Sequence, residues 1–167
     1  MDLKNISLEP MIEAHLTRVL EIEGDAFSTP WTSEMFTQEV EGHLGSRPIV
    51  ATLLGKVAGY AIAWFFDEDV HLVNLAVARQ FHSNGIGTLL VNDVIRESRK
   101  LDKEVITLEV RAGHAGVHVF YRTFGFRGIG LRKGYYSDNR EDALLMVLEL
   151  DRRARAPRVG KGESNAR

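Results

Sequence analysis

A strand, turn and helix pattern between residues 74 and 91 constrains the fold of this chain more than any other feature. An apolar run ends at Ala78, a polar turn follows, and a Gly-Ile-Gly step at residues 85–87 opens a segment with helical spacing. Glycine lets the main chain come close to a ligand, and the first turn of a helix presents unpaired N–H groups and the positive end of its dipole. The pattern therefore predicts a phosphate or pyrophosphate site at the end of a strand.

Two common phosphate-binding motifs do not fit this segment. The chain has no Gly-x-x-x-x-Gly-Lys-Ser/Thr motif, and Leu90 stands where Gly-x-Gly-x-x-Gly would need its third glycine. These differences exclude a P-loop and a dinucleotide fingerprint. A plain strand-to-helix turn without a ligand uses the same Gly-x-Gly pattern, so at this point the pattern allows both interpretations.

The composition is that of one globular domain, which we expect over residues 1–150. The chain has 167 residues, of which 44% are hydrophobic and 26% are charged. Cysteine is absent, which excludes disulfides, thiolate metal sites and a covalent cysteine intermediate. His114 and His118 are four residues apart, but Ala115 occupies the position of the glutamate in His-Glu-x-x-His. We therefore expect no metal.

The two ends of the chain suggest where the protein works. The first residues lack the apolar core of a signal peptide, and no apolar run approaches the roughly 20 residues that cross a bilayer. We therefore expect a cytoplasmic protein with no membrane partner. Residues 151–167 carry six Lys or Arg against two acids, a net charge of +4, which leaves −6 on residues 1–150. This composition predicts a disordered basic tail, which is either simply solvated or holds the protein near RNA or a ribosome.

The order of predicted elements favours a mixed sheet. A short strand at residues 6–9, interrupted by Pro10, precedes helices at residues 13–26 and after the candidate N-cap Thr32. Strands then follow at residues 49–54, 57–65 and 70–77, with Gly55-Lys56 as the hairpin turn between the first two. A long helix to residue 101, a strand at 105–110, a helix from about 115 and strands at 126–131 and 143–150 complete the chain. We predict an α/β (α+β) fold with a mostly antiparallel sheet of about seven strands flanked by four helices.

With these elements in place, the chain resembles the GNAT acetyltransferase superfamily. That superfamily binds acyl-CoA with Arg/Gln-x-x-Gly-x-Gly/Ala, and the hexamer at residues 82–87 matches it except that His82 replaces Arg or Gln. Further motifs resemble the RimI branch, the ribosomal-protein alanine N-acetyltransferases. They are Pro30-Trp31-Thr32, Asn74-Leu75-Ala76-Val77, Leu108-Glu109-Val110-Arg111-Ala112, Phe120-Tyr121-Arg122-Thr123-Phe124-Gly125-Phe126, Arg132-Lys133-Gly134-Tyr135-Tyr136 and Arg140-Glu141-Asp142-Ala143.

The resemblance implies acetyl-CoA as co-substrate and a set of residues that contact it. These residues are Leu75, Ala76, Val77, His82, Ser83, Asn84, Gly85, Ile86, Gly87, Thr88 and His114. His114 takes the place of the asparagine in the Arg-x-Ser-Asn of the branch. We expect the acetyl oxygen to be held by a main-chain N–H near Ala76 or Val77, where the strand would have to part from its neighbour.

Two residues are candidates for proton transfer. An α-amino group has a pKa of about 7.7 to 8.0, so a base need remove only one easily lost proton. Glu109 is the candidate base, directly or through a water, with a pKa that we expect to be raised by its apolar strand. Strand alternation alone would instead point Glu109 to solvent on the same face as Thr107. Tyr121 is either the acid that protonates the departing CoA thiolate or an ordinary core aromatic.

The substrate side of the expected site is built from loop aromatics. Trp31, Tyr135 and Tyr136 are candidates for binding the acceptor, with ordinary packing as the alternative. The expected activity is N-terminal acetylation of a protein, by the resemblance the alanine of a small-subunit ribosomal protein. Because the chain has no cysteine, we expect direct transfer in a ternary complex. The alternatives are a lysine or small-molecule acetyltransferase and a non-catalytic acyl-CoA-binding module.

Overall fold

The computed structural model describes residues 5–42 and 45–150, and the predicted basic tail at residues 151–167 lies outside them. Seven strands form one sheet in this part of the chain. They are β1 (Ile6–Pro10), β2 (Ser46–Leu53), β3 (Lys56–Phe65), β4 (Asp69–Val77), β5 (Val105–Arg111), β6 (Arg127–Arg132) and β7 (Ala143–Glu149). The four α-helices are α1 (Leu16–Ala26), α2 (Ser33–Val40), α3 (Ile86–Lys100) and α4 (Ala115–Arg122).

The strands follow the order β1-β2-β3-β4-β5-β7-β6. Every neighbouring pair is antiparallel except β4 and β5, which are parallel and joined by α3. A parallel pair needs a crossover connection of this kind. The predicted mixed, mostly antiparallel fold is therefore confirmed.

Two local expectations were wrong by one residue. Pro10 does not interrupt β1 but ends it, opposite Ile49, which an edge strand tolerates because the missing N–H faces away from the sheet. The hairpin turn is Leu54-Gly55 and not Gly55-Lys56, since Leu53 pairs with Lys56. Both turn residues have positive φ, 50° and 76°, as a two-residue turn of type I′ requires.

The sheet separates two hydrophobic cores. On the α1–α2 face, the apolar sides of α1 and α2 pack on β2, β3 and β4. This core is formed by Met11, Leu16, Val19, Ile22, Phe36, Val50, Val57, Tyr60, Ile62, Ala76 and Ala78. The α3–α4 face carries the larger core, to which β5 contributes Ile106, Leu108 and Val110. Thr107, Glu109 and Arg111 alternate with these residues, so they lie on the α1–α2 face.

A β-bulge in β4 changes which side chains share a face. Ile62 of β3 is opposite Asn74 and the next residue, Ala63, is opposite Leu72, so Val73 is the extra residue. His71 and Asn74 are three residues apart and would point to opposite faces of a regular strand. With the bulge, both lie on the α1–α2 face, where Asn74 bonds to Glu23 of α1 and His71 contacts Glu109.

Within residues 5–42 and 45–150, none of the helices combines the length and the apolar character needed to cross a membrane.

Candidate active site

The two parallel strands β4 and β5 separate after only three residue pairs. Asp69, Val70 and His71 pair with Val105, Ile106 and Thr107, and in the described part of the chain no pairing joins the two strands beyond that point. Each strand remains paired on its other side, β4 with β3 and β5 with β7. The separation leaves an open gap edged by backbone groups, as the sequence-based expectation for the acetyl site required.

The turn after β4 is held by its own side chains. A ring nitrogen of His82, Nε2, lies 2.8 Å from the carbonyl oxygen of Val77, and the Asn84 amide donates to the carbonyl of His82 at 2.9 Å. Ser83 and Gly85 both have positive φ, 61° and 79°. His82 and Asn84 therefore shape the turn, and the Val77 carbonyl already has a side-chain partner.

The beginning of α3 carries the N–H groups that the Gly-Ile-Gly step predicted. Gly85 is the N-cap residue and offers no side chain to satisfy them. Ile86, Gly87 and Thr88 supply the first-turn N–H groups, which have no partner within the helix itself. Gly87 also serves packing, because a Cβ atom there would lie 3.3 Å from Cζ of Phe120 on α4. The second glycine thus brings α3 and α4 together.

Glu109 lies at the gap on the α1–α2 face, but its ionisation differs from our expectation. Its side chain is only 11% exposed, with Oε2 2.9 Å from Nε2 of His71 and Oε1 3.1 Å from a guanidinium nitrogen of Arg132. The hydrogen bond with His71 lowers the pKa of Glu109, and the charge of Arg132 lowers it further, against the opposing effect of burial. The predicted rise in pKa was wrong because the apolar sequence around Glu109 did not reveal these two partners.

Tyr121 lies on the opposite face of the sheet from Glu109. Its ring is buried in the α3–α4 core, in edge contact with Phe120 and Phe126. Burial raises the pKa of Tyr121, so its hydroxyl stays protonated at neutral pH. The part of the chain that the structure describes gives this hydroxyl no hydrogen-bond partner. Tyr121 is therefore a core aromatic, and its protonated hydroxyl is not bonded to another described group.

The loop between β6 and β7 carries Tyr135 and Tyr136. Their rings meet edge to face at 5.2 Å, and Tyr135 is 47% exposed while Tyr136 is half-buried. The Arg111 guanidinium covers the Tyr136 ring. Burial raises the pKa of Tyr136 to about 12, against the opposing charge of Arg111. Tyr136 is thus a neutral hydrogen-bonding group beside Arg111 on the α1–α2 face.

Trp31 is placed by a buried polar cluster. Its backbone N–H donates to Oε1 of Glu23 at 2.8 Å, and Glu23 in turn accepts from Tyr60 and Asn74. The Trp31 ring is half-buried and packs against Phe36. These contacts show that Trp31 has a packing role.

His114 is the exposed N-cap residue of α4, and its side chain makes no cap hydrogen bond. No group of three or more His, Asp or Glu residues in the described ranges is arranged to hold a metal ion.

Comparison with known proteins agrees with this geometry. Residues 16–126 match the acetyltransferase (GNAT) family. The chain belongs to the GNAT family. Among its relatives, the ribosomal protein bS18-alanine N-acetyltransferase of Escherichia coli is 33% identical over 132 residues, covering 77% of this chain and 87% of the relative. The protein of the same name from Salmonella typhimurium is 30% identical over 134 residues, covering 78% and 88%.

Solved structures that superimpose on this chain have the same fold. The crystal structure of the ribosomal-protein-S18-alanine N-acetyltransferase from Escherichia coli superimposes with a TM-score of 0.80 at 28% identity, covering 87% of this chain and 94% of that chain. The structure of Arabidopsis thaliana NAA60 in complex with a bisubstrate analogue superimposes with a TM-score of 0.79 at 21% identity, covering 88% of this chain and 99% of that chain, so the two chains share a fold.

Sequence reasoning missed four contributors to this GNAT site. They are His71 and Arg132, which contact Glu109, Arg111, which covers the Tyr136 ring, and Glu23, which accepts from the Trp31 N–H. A single polar residue inside an apolar strand run is a signal that could have drawn attention to His71. The other three act through partners at least eight residues away in the chain, and no local pattern indicates those pairings.

Proposed function

We propose that this chain transfers an acetyl group from acetyl-CoA to the α-amino group of a protein, and that its acceptor is the N-terminal alanine of a small-subunit ribosomal protein. The observation that carries the proposal is the gap between β4 and β5, with Glu109 beside it on one face and Tyr121 packed on the other. The relatives that act on ribosomal protein bS18 support the choice of acceptor. We assign the activity to residues 1–150.

The residues around the gap fit acetyl-CoA. The β4 backbone at Leu75, Ala76 and Val77 would pair with the extended arm of the co-substrate and hold the acetyl oxygen through an N–H group. The first-turn N–H groups of α3, at Ile86, Gly87 and Thr88, would hold the pyrophosphate. We assign His82, Ser83, Asn84 and Gly85 to the turn that presents these groups. The side chains of His82 and Asn84 already form hydrogen bonds within this turn, and Ser83 has a positive φ there. His114 at the start of α4 remains a candidate side-chain contact.

The chemistry requires the ammonium group to lose two protons, one before it attacks and one as the amide forms, and the departing sulfur to gain one. The co-substrate supplies an acetyl thioester, and the neutral amine attacks its carbonyl carbon, so that a C–N bond forms and the C–S bond breaks. The ionised carboxylate of Glu109 attracts the ammonium group and begins its deprotonation. The Tyr121 hydroxyl, kept protonated by burial, donates a proton to the departing thiolate. Without cysteine in the chain, we infer direct transfer in a ternary complex.

Loop aromatics on the α1–α2 face complete the acceptor side. We assign the hydroxyl groups of Tyr135 and Tyr136 to hydrogen bonds with the first peptide groups of an entering N-terminus. We assign Trp31 to the wall of the pocket for the first side chain, because its packing against Phe36 fixes its ring. A pocket bounded by this fixed ring would favour a small first residue such as alanine.

The experiment that tests the proposal uses two peptides. One begins with a free alanine and contains no lysine, and the other is its N-terminally blocked version with one internal residue replaced by lysine. With acetyl-CoA, we expect only the first to gain the mass of one acetyl group. Acetylation of the second alone would indicate a lysine acetyltransferase. Binding of acetyl-CoA without turnover on either peptide or on small amines would indicate a binding module. Mass spectrometry of ribosomal proteins from cells with and without this chain then tests the acceptor.

A further inference from the structure

His71 stands at the closed end of the gap between β4 and β5. It forms the last residue pair between the two strands, opposite Thr107, and the bulge at Val73 follows directly. An acceptor amine that reaches the gap from the α1–α2 face therefore approaches the face on which His71 lies. Among the histidines in residues 5–42 and 45–150, only His71 contacts a residue that we assign to proton transfer.

Both ring nitrogens of His71 have defined partners. Nε2 lies 2.9 Å from Oε2 of Glu109, and Nδ1 lies 2.8 Å from the Thr107 hydroxyl. An ionised carboxylate can only accept, so Nε2 carries the hydrogen and Nδ1 is left to accept from Thr107. The side chain is 24% exposed, so solvent reaches it. In this tautomer, Nδ1 is the basic position of the pair.

Glu109 alone is a poor final acceptor for the amine's proton. Two partners, His71 and Arg132, stabilise its ionised form, whereas the proton comes from a group whose pKa is about 7.7 to 8.0. In a chain without cysteine, imidazole is the side chain whose ordinary pKa, about 6.5, lies closest to that value. A proton moves most readily between groups of matched pKa. The imidazole that touches Glu109 is therefore the better destination.

We propose that His71 receives the proton that the acceptor amine loses, with Glu109 and Thr107 holding its ring in place. This inference rests on the proposed function. In the step, an N–H bond of the ammonium group breaks, and water carries the proton to the Thr107 hydroxyl. Thr107 passes its own hydrogen to the ring, so that an Nδ1–H bond forms on His71. The imidazolium then donates to the Glu109 carboxylate through Nε2 and to the Thr107 hydroxyl through Nδ1. Thr107 changes from donor to acceptor, and the proton later leaves to solvent.

The surroundings of His71 favour a transient positive charge. Glu109 on β5 touches the ring directly, and Arg132 on β6 lies on the far side of that carboxylate. On the other side, the Trp64 ring of β3 is 6.4 Å from His71, and Glu39 of α2 accepts from the Trp64 indole. Tyr136, which interacts with Glu109, is neutral. The charge in contact with the ring is therefore negative.

The experiment measures kcat against pH from about 5 to 8, the range in which histidine titrates, with the alanine peptide and acetyl-CoA both saturating. The test variant is His71→Gln, whose amide still donates to Glu109 but binds no extra proton. We expect kcat to fall at least about tenfold and the acidic side of the profile to lose one ionisation. The matched control is His15→Gln, because His15 also pairs with a glutamate. Its partner, Glu9 at 3.9 Å, lies on the edge strand β1, away from the gap between β4 and β5. This control should keep the wild-type rate and profile.

A folded His71→Gln variant that keeps the wild-type ionisations overturns the proposal, even if it is slower, because His71 would then act only by orienting Glu109. If this variant does not fold, His71→Ala assayed with added imidazole replaces it. A rate that rises with imidazole supports the proposal, and a rate that stays flat overturns it. If the wild-type protein acetylates no peptide α-amino group at any pH, the proposed function itself is overturned. This outcome is seen in the wild type, whereas the outcomes that overturn only the role of His71 are seen in its variants.

Discussion

The Arg111 guanidinium lies 3.9 Å from the centre of the Tyr136 ring. The same guanidinium bonds to Ser28 in the loop between α1 and α2 and to Asp138 and Glu141 in the loop between β6 and β7. Ser28 also donates directly to Asp138 at 2.6 Å. One side chain at the end of β5 thus joins the two loops that flank the proposed acceptor site.

Replacing Arg111 with lysine should weaken acceptor binding and leave the co-substrate largely unaffected. Lysine keeps the charge but cannot bond to several partners in one plane or stack on Tyr136 in the same way. We expect KM for the alanine peptide to rise about tenfold, equivalent to about 1.4 kcal/mol, with little change in KM for acetyl-CoA. Steady-state kinetics with each substrate varied in turn measures both.

Arg127→Lys is the matched control for this prediction. Arg127 also pairs with a carboxylate, that of Glu149, but both side chains are exposed, and exposed ion pairs contribute little. Its kinetics should equal those of the wild type. Equal rises in both KM values for Arg111→Lys would contradict a role confined to the acceptor loops.

Replacing Glu109 with glutamine should change how stability depends on pH. The pKa of Glu109 is lowered in the folded protein, so its ionised form stabilises the fold above the pKa of an unfolded glutamate, about 4.3. That contribution disappears as the pH falls through the lower folded value. The wild type should therefore exceed Glu109→Gln in stability near pH ~6, and the difference should shrink in more acidic buffers. Urea unfolding across this range measures it, and a difference that grows on acidification would refute the lowered pKa.

Tyr121→Phe should separate catalysis from folding. The Tyr121 ring is part of the core, whereas its hydroxyl has no hydrogen-bond partner within the described residues. Phenylalanine preserves the packing, so the free energy of unfolding should change by less than about 1 kcal/mol. If the hydroxyl protonates the thiolate, kcat should fall by about 10²-fold. Parallel chemical denaturation and turnover assays test both parts. An unchanged kcat would remove Tyr121 from the mechanism.

Gly59→Ala should destabilise the sheet next to the proposed co-substrate site. A Cβ atom at Gly59 would lie 2.9 Å from the carbonyl oxygen of Ala76 on β4, so one of the two strands would have to move. We expect a loss of about 1 to 3 kcal/mol. Gly24→Ala in α1 is the control, because nothing lies within 4 Å of its added Cβ and alanine favours a helix by up to about 1 kcal/mol. Thermal and urea unfolding of both variants test the contrast.

Sequence periodicity and capping residues were sufficient to predict most of the fold. The β4–α3 unit was predictable because an alternating run, a glycine at positive φ and a helical stripe follow one another without interruption. Thr32 was predictable as an N-cap, and its side chain accepts from Met35 as expected. These signals are local, and local signals remain readable in a single sequence.

The ionisation of the site could not be predicted in the same way. The low pKa of Glu109 depends on His71, 38 positions earlier, and on Arg132, 23 positions later, which the sheet order brings together. Likewise, Arg111 bonds to Ser28 only because the fold brings the loop between α1 and α2 to the end of β5. Pairings of this kind follow from strand order and register, and a one-residue change in register would break them.

The bulge at Val73 makes the length of β4 a determinant of the chemistry as well as of the geometry. Removing this single residue would keep every functional side chain in the sequence and still turn one end of the strand over relative to the other. Either His71 would leave Glu109, or Asn74 would leave Glu23. An insertion or deletion in this strand would therefore be far more damaging than most substitutions, and relatives that differ in length at this point should differ in how their sites handle protons.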